Sequence, residues 1–120
     1  MDRNDETGFE TLAERTLEAL AQAIEASGAD LEIDLEGGIL TMELADGRQY
    51  VINRHAALRQ IWLSSPISGA RHYLPAGGPA GGPAGGPAGG RWTDTRDGSD
   101  LARRLGEELT AATGTPVVLP

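Results

Sequence analysis

With 120 residues and no cysteine, the chain can form no disulfide and no thiolate site for zinc or a resident iron–sulfur cluster, so any metal it holds has oxygen or imidazole ligands. Its net charge of −8 is concentrated: residues 1–46 carry thirteen acids against Arg3 and Arg15, and residues 47–120 are slightly basic. That asymmetry argues against nucleic acid and for a cation or a basic protein surface as partner. No apolar run approaches the roughly twenty residues of a membrane span, and the first ten residues are polar, which leads us to expect a cytoplasmic bacterial protein away from membranes.

Residues 9–24 place Phe9, Leu12, Ala13, Leu17, Leu20 and Ile24 at helical spacing, ending at Ser27-Gly28, and so predict a first helix with one buried stripe. From Asp30 to Glu36 the pattern alternates, Leu31, Ile33 and Leu35 against Asp30, Glu32, Asp34 and Glu36, which predicts a strand covered on one face. Gly37-Gly38 then turns into a strand over 39–45, and Asp46-Gly47 into another over 49–53. Further strands are expected at 60–64 and 70–74.

Four copies of Pro-Ala-Gly-Gly follow over 75–90, where proline removes donors and paired glycines raise chain entropy. We expect a flexible insertion between two strands of a single domain. A strand over 91–96 precedes a helix over 100–113, with Ser99 as the expected cap and Gly114 as the stop. Helix, five or six antiparallel strands, helix: the order predicts an α+β two-layer sandwich, with both helices on one sheet face and the other face open.

Two surfaces could carry function. Glu6, Glu10, Glu14 and Glu18 recur every fourth residue, and like charges at that spacing cost about 0.2 to 0.5 kcal/mol per pair, so stability does not explain the row. A bound cation would relieve the repulsion, although a merely solvated helix face fits the residues equally well. On the strand over 60–64, Gln60, Trp62 and Ser64 point away from Ile61 and Leu63. Trp62 then suits a protein-binding hot spot, or shields a neighbouring strand. His55 and His72 have no ligand-type spacing, and no nucleophile-elbow motif surrounds Ser64 or Ser65, so a hydrolytic triad is not expected. The glycine-rich repeat lacks the Lys-Ser/Thr of a phosphate loop.

Tyr50-Val51-Ile52-Asn53, then Gln60 to Pro66 (QIWLSSP) and Gly69, closely resemble the central signature of the frataxin family, including its bacterial CyaY-type members. The likeness extends to Phe9-Glu10 through Leu20, to Gly37 through Thr41, and to Trp92, Asp97-Gly98 and Leu101, nearly the whole chain apart from the insertion. The resemblance implies an iron-binding accessory protein, or iron chaperone, of iron–sulfur cluster assembly, holding Fe2+ or Fe3+ weakly and reversibly.

It also implies which residues act. The family's acidic ridge on the first helix and adjoining strand is matched here by Asp5, Glu6, Glu10, Glu14, Glu18 and Glu25, with Asp30, Glu32 and Asp34 on the strand. Arg15, Gln22 and Ala26 stand where some relatives carry further acids. The open sheet face, at Asn53, Gln60 and Trp62, would meet a cysteine desulfurase or an iron–sulfur scaffold protein. Two other activities compatible with the resemblance are metal-independent docking of the ridge on the desulfurase and weak ferroxidase chemistry. A monomer, with possible iron-driven oligomers, is the expected state.

Overall fold

The structure, a computed structural model, describes residues 2–75 and 91–120, with side chains from residue 8 onward. Two helices and six strands follow in chain order: α1 (Asp2–Ser27), β1 (Leu31–Glu36), β2 (Ile39–Leu44), β3 (Gln49–His55), β4 (Gln60–Ser65), β5 (Gly69–Pro75), β6 (Trp92–Asp94) and α2 (Leu101–Thr113). The strands form one antiparallel sheet in sequence order, β1 to β6. This is the expected two-layer α+β sandwich, with six strands.

The core lies between the helices and one face of that sheet. Phe9, Ala13, Leu17, Leu20 and Ile24 of α1 and Leu101, Leu105 and Leu109 of α2 are buried with Leu40, Met42, Tyr50, Ile52, Ile61, Leu63, Tyr73 and Trp92 of the sheet. Strand alternation turns the intervening residues outward, and no helix or second sheet among the described residues covers the opposite face. No helix among the described residues is long and apolar enough to cross a membrane.

Element ends differ from expectation where side chains bond locally to the backbone. The strand expected over 91–96 stops at Asp94, because its Oδ1 accepts from the amides of Arg96, at 2.7 Å, and Asp97, at 3.4 Å, turning the chain out of the sheet. Asp100, not Ser99, caps α2: its carboxylate accepts from the Arg103 amide at 3.0 Å, where negative charge also suits a helix N-terminus. The Ser99 hydroxyl instead donates to Asp97. Gly114 ends the helix at φ +75° as expected.

Pro75, expected as the first residue of the flexible insertion, is the buried last residue of β5, paired with Trp92. The remainder of that insertion, 76–90, lies outside the described residues. After Gly114 the tail folds back on α2, where the Val117 amide donates to the Thr110 hydroxyl. A Cβ at Gly106 would stand 2.9 Å from the Val117 carbonyl, so a glycine permits this close approach.

Candidate functional site

The acidic flank is built around one edge of the sheet. On α1, Glu14, Glu18 and Glu25 are exposed and Glu10 is half-buried, all on the side away from the core stripe. Asp5 and Glu6 belong to α1, but their side chains fall outside the described residues. The strand acids sit differently. Register pairs Leu31 with Leu44, Ile33 with Met42 and Leu35 with Leu40, all turned toward the helices, so Glu32, Asp34 and Glu36 point to the open face. Asp30 is exposed just before β1. The helix row and the strand row therefore lie on two layers that meet along the β1 edge, and do not form one continuous plane of carboxylates.

They come together at the β1–β2 turn. A groove of about 270 Å³ there is lined by Glu14, Leu17, Glu18, Leu35, Glu36, Gly37, Gly38 and Arg54. Gly37 and Gly38 both take positive φ, 62° and 82°, as a two-residue hairpin turn of this hand requires. Gly38 has a second role, since a Cβ on it would lie 2.6 Å from Arg54 Nε. Its bare backbone lets the Arg54 side chain cross beneath the turn and reach Glu14, where Nη1 to Oε2 is 2.5 Å.

Arg54 thus neutralises one of the row. Glu10, Glu18, Glu25, Asp30, Glu32, Asp34 and Glu36 form no ion pair among the described residues. Glu32 stands directly opposite Glu43, a cross-strand like-charge pair that destabilises the sheet. No three acidic or imidazole side chains converge into a ready-made ligand cluster among the described residues. The flank can offer a hard cation one or two carboxylates at a time, with water completing the shell, as suits loose, exchangeable binding. Glu36 and Arg54 are participants that the sequence pattern did not single out.

The second surface is on the open face. Asn53 and Trp62 are direct cross-strand partners, and Gln60 Oε1 accepts from Trp62 Nε1 at 2.7 Å, so the three residues expected there do come together. Trp62 is also stacked on both sides: the His55 ring lies 4.2 Å away at 15°, and the His72 ring 4.3 Å away at 16°. Both histidines are half-buried strand residues packed against the indole. His72 is the β5 partner of Trp62, a pairing deducible by counting outward from the Ser65–Gly69 end of the hairpin.

Two polar networks anchor α2 to the buried face of the sheet. Glu108 Oε1 accepts from the Tyr50 and Ser65 hydroxyls at 3.0 and 2.7 Å. Burial, followed by the Glu108 charge, raises the Tyr50 phenol well above its ordinary range. Burial likewise pushes the Tyr73 phenol up to about 12, so both tyrosines stay neutral at any physiological pH. In the other network, Asp97 accepts from Arg71 and Arg104, and Arg71 also donates to Asp94 at 2.9 Å.

Comparison with known proteins gives one consistent answer. The frataxin-like domain family matches residues 2–115. The iron–sulfur cluster assembly protein CyaY of Dechloromonas aromatica is 33% identical over 116 residues, covering 96% of this chain and 98% of that protein. The mitochondrial frataxin-like protein of Leishmania donovani is 34% identical over 117 residues, covering 96% of this chain but 60% of that longer protein. Among solved structures, the frataxin of Psychromonas ingrahamii superposes with a TM-score of 0.76 at 26% identity, covering 94% of this chain and 95% of its own. A trimeric frataxin from Saccharomyces cerevisiae complexed with ferrous iron gives 0.67 at 29% identity, covering 86% of each chain.

Proposed function

The chain belongs to the frataxin family, and from that premise we propose that it serves iron–sulfur cluster assembly as an iron-binding accessory protein, with the β1 edge as its cation-binding flank and the open sheet face as its docking surface. The likeness to CyaY proteins named for cluster assembly, along nearly their whole length, supports the pathway. The ferrous complex of the yeast relative supports the ion. The observation that carries the reading is the groove at the β1–β2 turn, whose lining brings Glu14 and Glu18 of α1 together with Glu36 of β1, with Arg54 as the one cation lining it.

Iron here is cargo. A hard, weakly held ion matches exposed carboxylates, which gain from its charge without closing a cage that would impede release. Glu18 and Glu36 are the informative positions, because Glu14 is engaged by Arg54. Replacing both, as Glu18→Gln with Glu36→Gln, is expected to weaken anaerobic ferrous binding by calorimetry about tenfold, roughly 1.4 kcal/mol, with an unchanged melting temperature in the absence of metal. Equal affinity in the variant would exclude the groove as the site of iron binding.

The absence of any three-ligand cluster among the described residues favours a second reading, in which the flank docks electrostatically on a basic patch of the desulfurase and iron is incidental. The same double variant separates the two: desulfurase binding lost with iron uptake unchanged supports docking alone.

On the open face, Trp62→Ala is expected to weaken binding to the desulfurase and scaffold proteins by about thirtyfold, or roughly 2 kcal/mol, as for an aromatic anchor at an interface centre. Surface plasmon resonance with each partner measures it; an affinity within about twofold of the unmodified protein would exclude Trp62 as the anchor.

A further inference from the structure

The stack His55–Trp62–His72 has a property beyond the docking role proposed above, on which this inference rests. Both faces of the indole are covered by imidazoles, and its N–H is taken by Gln60. A partner therefore cannot sandwich the tryptophan; it meets the indole edge and the outer faces of the two histidines. Imidazole is the side chain whose charge ordinarily changes between about pH 5 and 8, and an imidazolium over an indole face gains a cation–π attraction.

The strands β3, β4 and β5 that carry the stack contain no carboxylate. The stack is packed against β3, β4, β5 and the turn over 56–59, and it is bordered outward by Asn53, Gln60, Ser64, Ala70 and Leu74, all uncharged. Of the charged side chains on these elements, Arg54 and Arg71 point to the helix layer, where they meet Glu14 and Asp94, and Arg59 lies in the turn. Arg96 is exposed beside Thr95, whose amide donates to the His72 carbonyl. Along the row of cross-strand partners running Glu36, Ile39, Asn53, Trp62, His72, the first carboxylate met is three strands away. The open face is thus bipolar, carboxylates at its β1–β2 end and potential cations at its β4–β5 end.

We propose that the His55–Trp62–His72 stack is a proton-responsive docking element for a carboxylate-bearing segment of the partner, binding more tightly as the imidazoles gain protons. His55 Nδ1 already accepts from the Leu58 amide at 3.4 Å, a bond that protonation at that nitrogen would break, whereas no hydrogen bond engages the His72 ring among the described residues. Because partner carboxylates favour the charged imidazoles, docking takes up protons, and lowering the pH favours docking in equal measure.

The test is calorimetric titration of the full chain with the desulfurase and scaffold proteins at about pH 7.5 and about pH 6.0, comparing the unmodified protein with His72→Gln, His55→Gln/His72→Gln and Trp62→Ala. Expected is a fall in Kd of about fivefold on acidification for the unmodified protein, and a much flatter response in both histidine variants. The Trp62 indole N–H resonance of the free chain should move over the same range in the unmodified protein and stay still in the double histidine variant. An unchanged pH response in the histidine variants, or an immobile indole resonance in the unmodified protein, would overturn the inference and leave the docking surface standing. Binding indifferent to Trp62→Ala at both pH values would remove the docking surface, and this inference with it.

Discussion

Replacing Trp92 by alanine is expected to cost about 3 to 5 kcal/mol and to lower Tm by roughly 10 to 25 °C. Trp92 is 2% exposed and is the only bulky apolar side chain of the three-residue strand β6. Its ring meets Phe9 of α1 edge-on at 5.9 Å and 74°. Its Nε1 donates to Thr16 Oγ1 at 2.9 Å, and that hydroxyl in turn donates to the Leu12 carbonyl at 2.8 Å, so one indole ties the last strand to the first helix. Trp92 also walls the cleft of about 700 Å³ beneath α2 and the tail, and its loss would enlarge that cleft. Trp62 provides the internal comparison. The same substitution there removes an outward-facing ring and should change stability by less than about 1 kcal/mol, so paired thermal melts should separate a core tryptophan from an outward-facing one.

The second large effect is expected at Asp94. Its side chain is 1% exposed and is held by the Arg71 guanidinium and by the Arg96 and Asp97 amides. Asp94→Ala should cost about 3 to 5 kcal/mol in urea unfolding at neutral pH, because it leaves a half-buried guanidinium short of its partner and frees the turn that leads into α2. Burial works to raise this carboxyl's pKa, but hydrogen bonds from the Arg96 amide and from Arg71 outweigh it, and the net displacement is downward from 3.8. Asp97 is lowered as well, chiefly by the Ser99 hydroxyl and amide. A carboxyl with a depressed folded-state pKa contributes stability that is full above the unfolded value and lost as pH falls through the folded one. The acid limb of unfolding should therefore begin below 3.8, with stability nearly level through the neutral range, and Asp94→Ala should flatten that limb. An acid limb unchanged by the substitution would place its origin in other carboxylates.

How much of this was legible in the sequence depended on whether local or cross-strand geometry set the feature. The helices and all six strands were readable because burial follows period: Phe9, Ala13, Leu17 and Leu20 on α1 are buried, and Leu31 and Ile33 on β1 pack half-buried against the core, while Leu35, at the end of the same alternation, stays exposed. Ends were less legible, since Asp94 and Asp100 compete with neighbouring residues for the same backbone amides, and composition does not say which side chain wins. The acids could be identified but not placed. Whether Glu32 and Asp34 join the helix row is decided by the pairing of Leu31 with Leu44, and that register turns them to the other layer.

The Arg54–Glu14 pair bridges 40 residues and depends on a glycine with no side chain at 38, a combination with no local signature. The imidazoles that cover Trp62 were likewise hidden, because they come from two different neighbouring strands and seventeen residues separate them in the chain.

Receipt of iron at the β1 edge, as proposed above, is best tested by an amide-resolved NMR titration of the intact chain with ferrous iron under anaerobic conditions. Broadening or shifts are expected to centre on Glu14 to Glu18 of α1 and on Glu36 to Gly38 of the adjoining turn, with α2 and the 115–119 tail unaffected. Changes confined to α2, or none at millimolar iron, would contradict it.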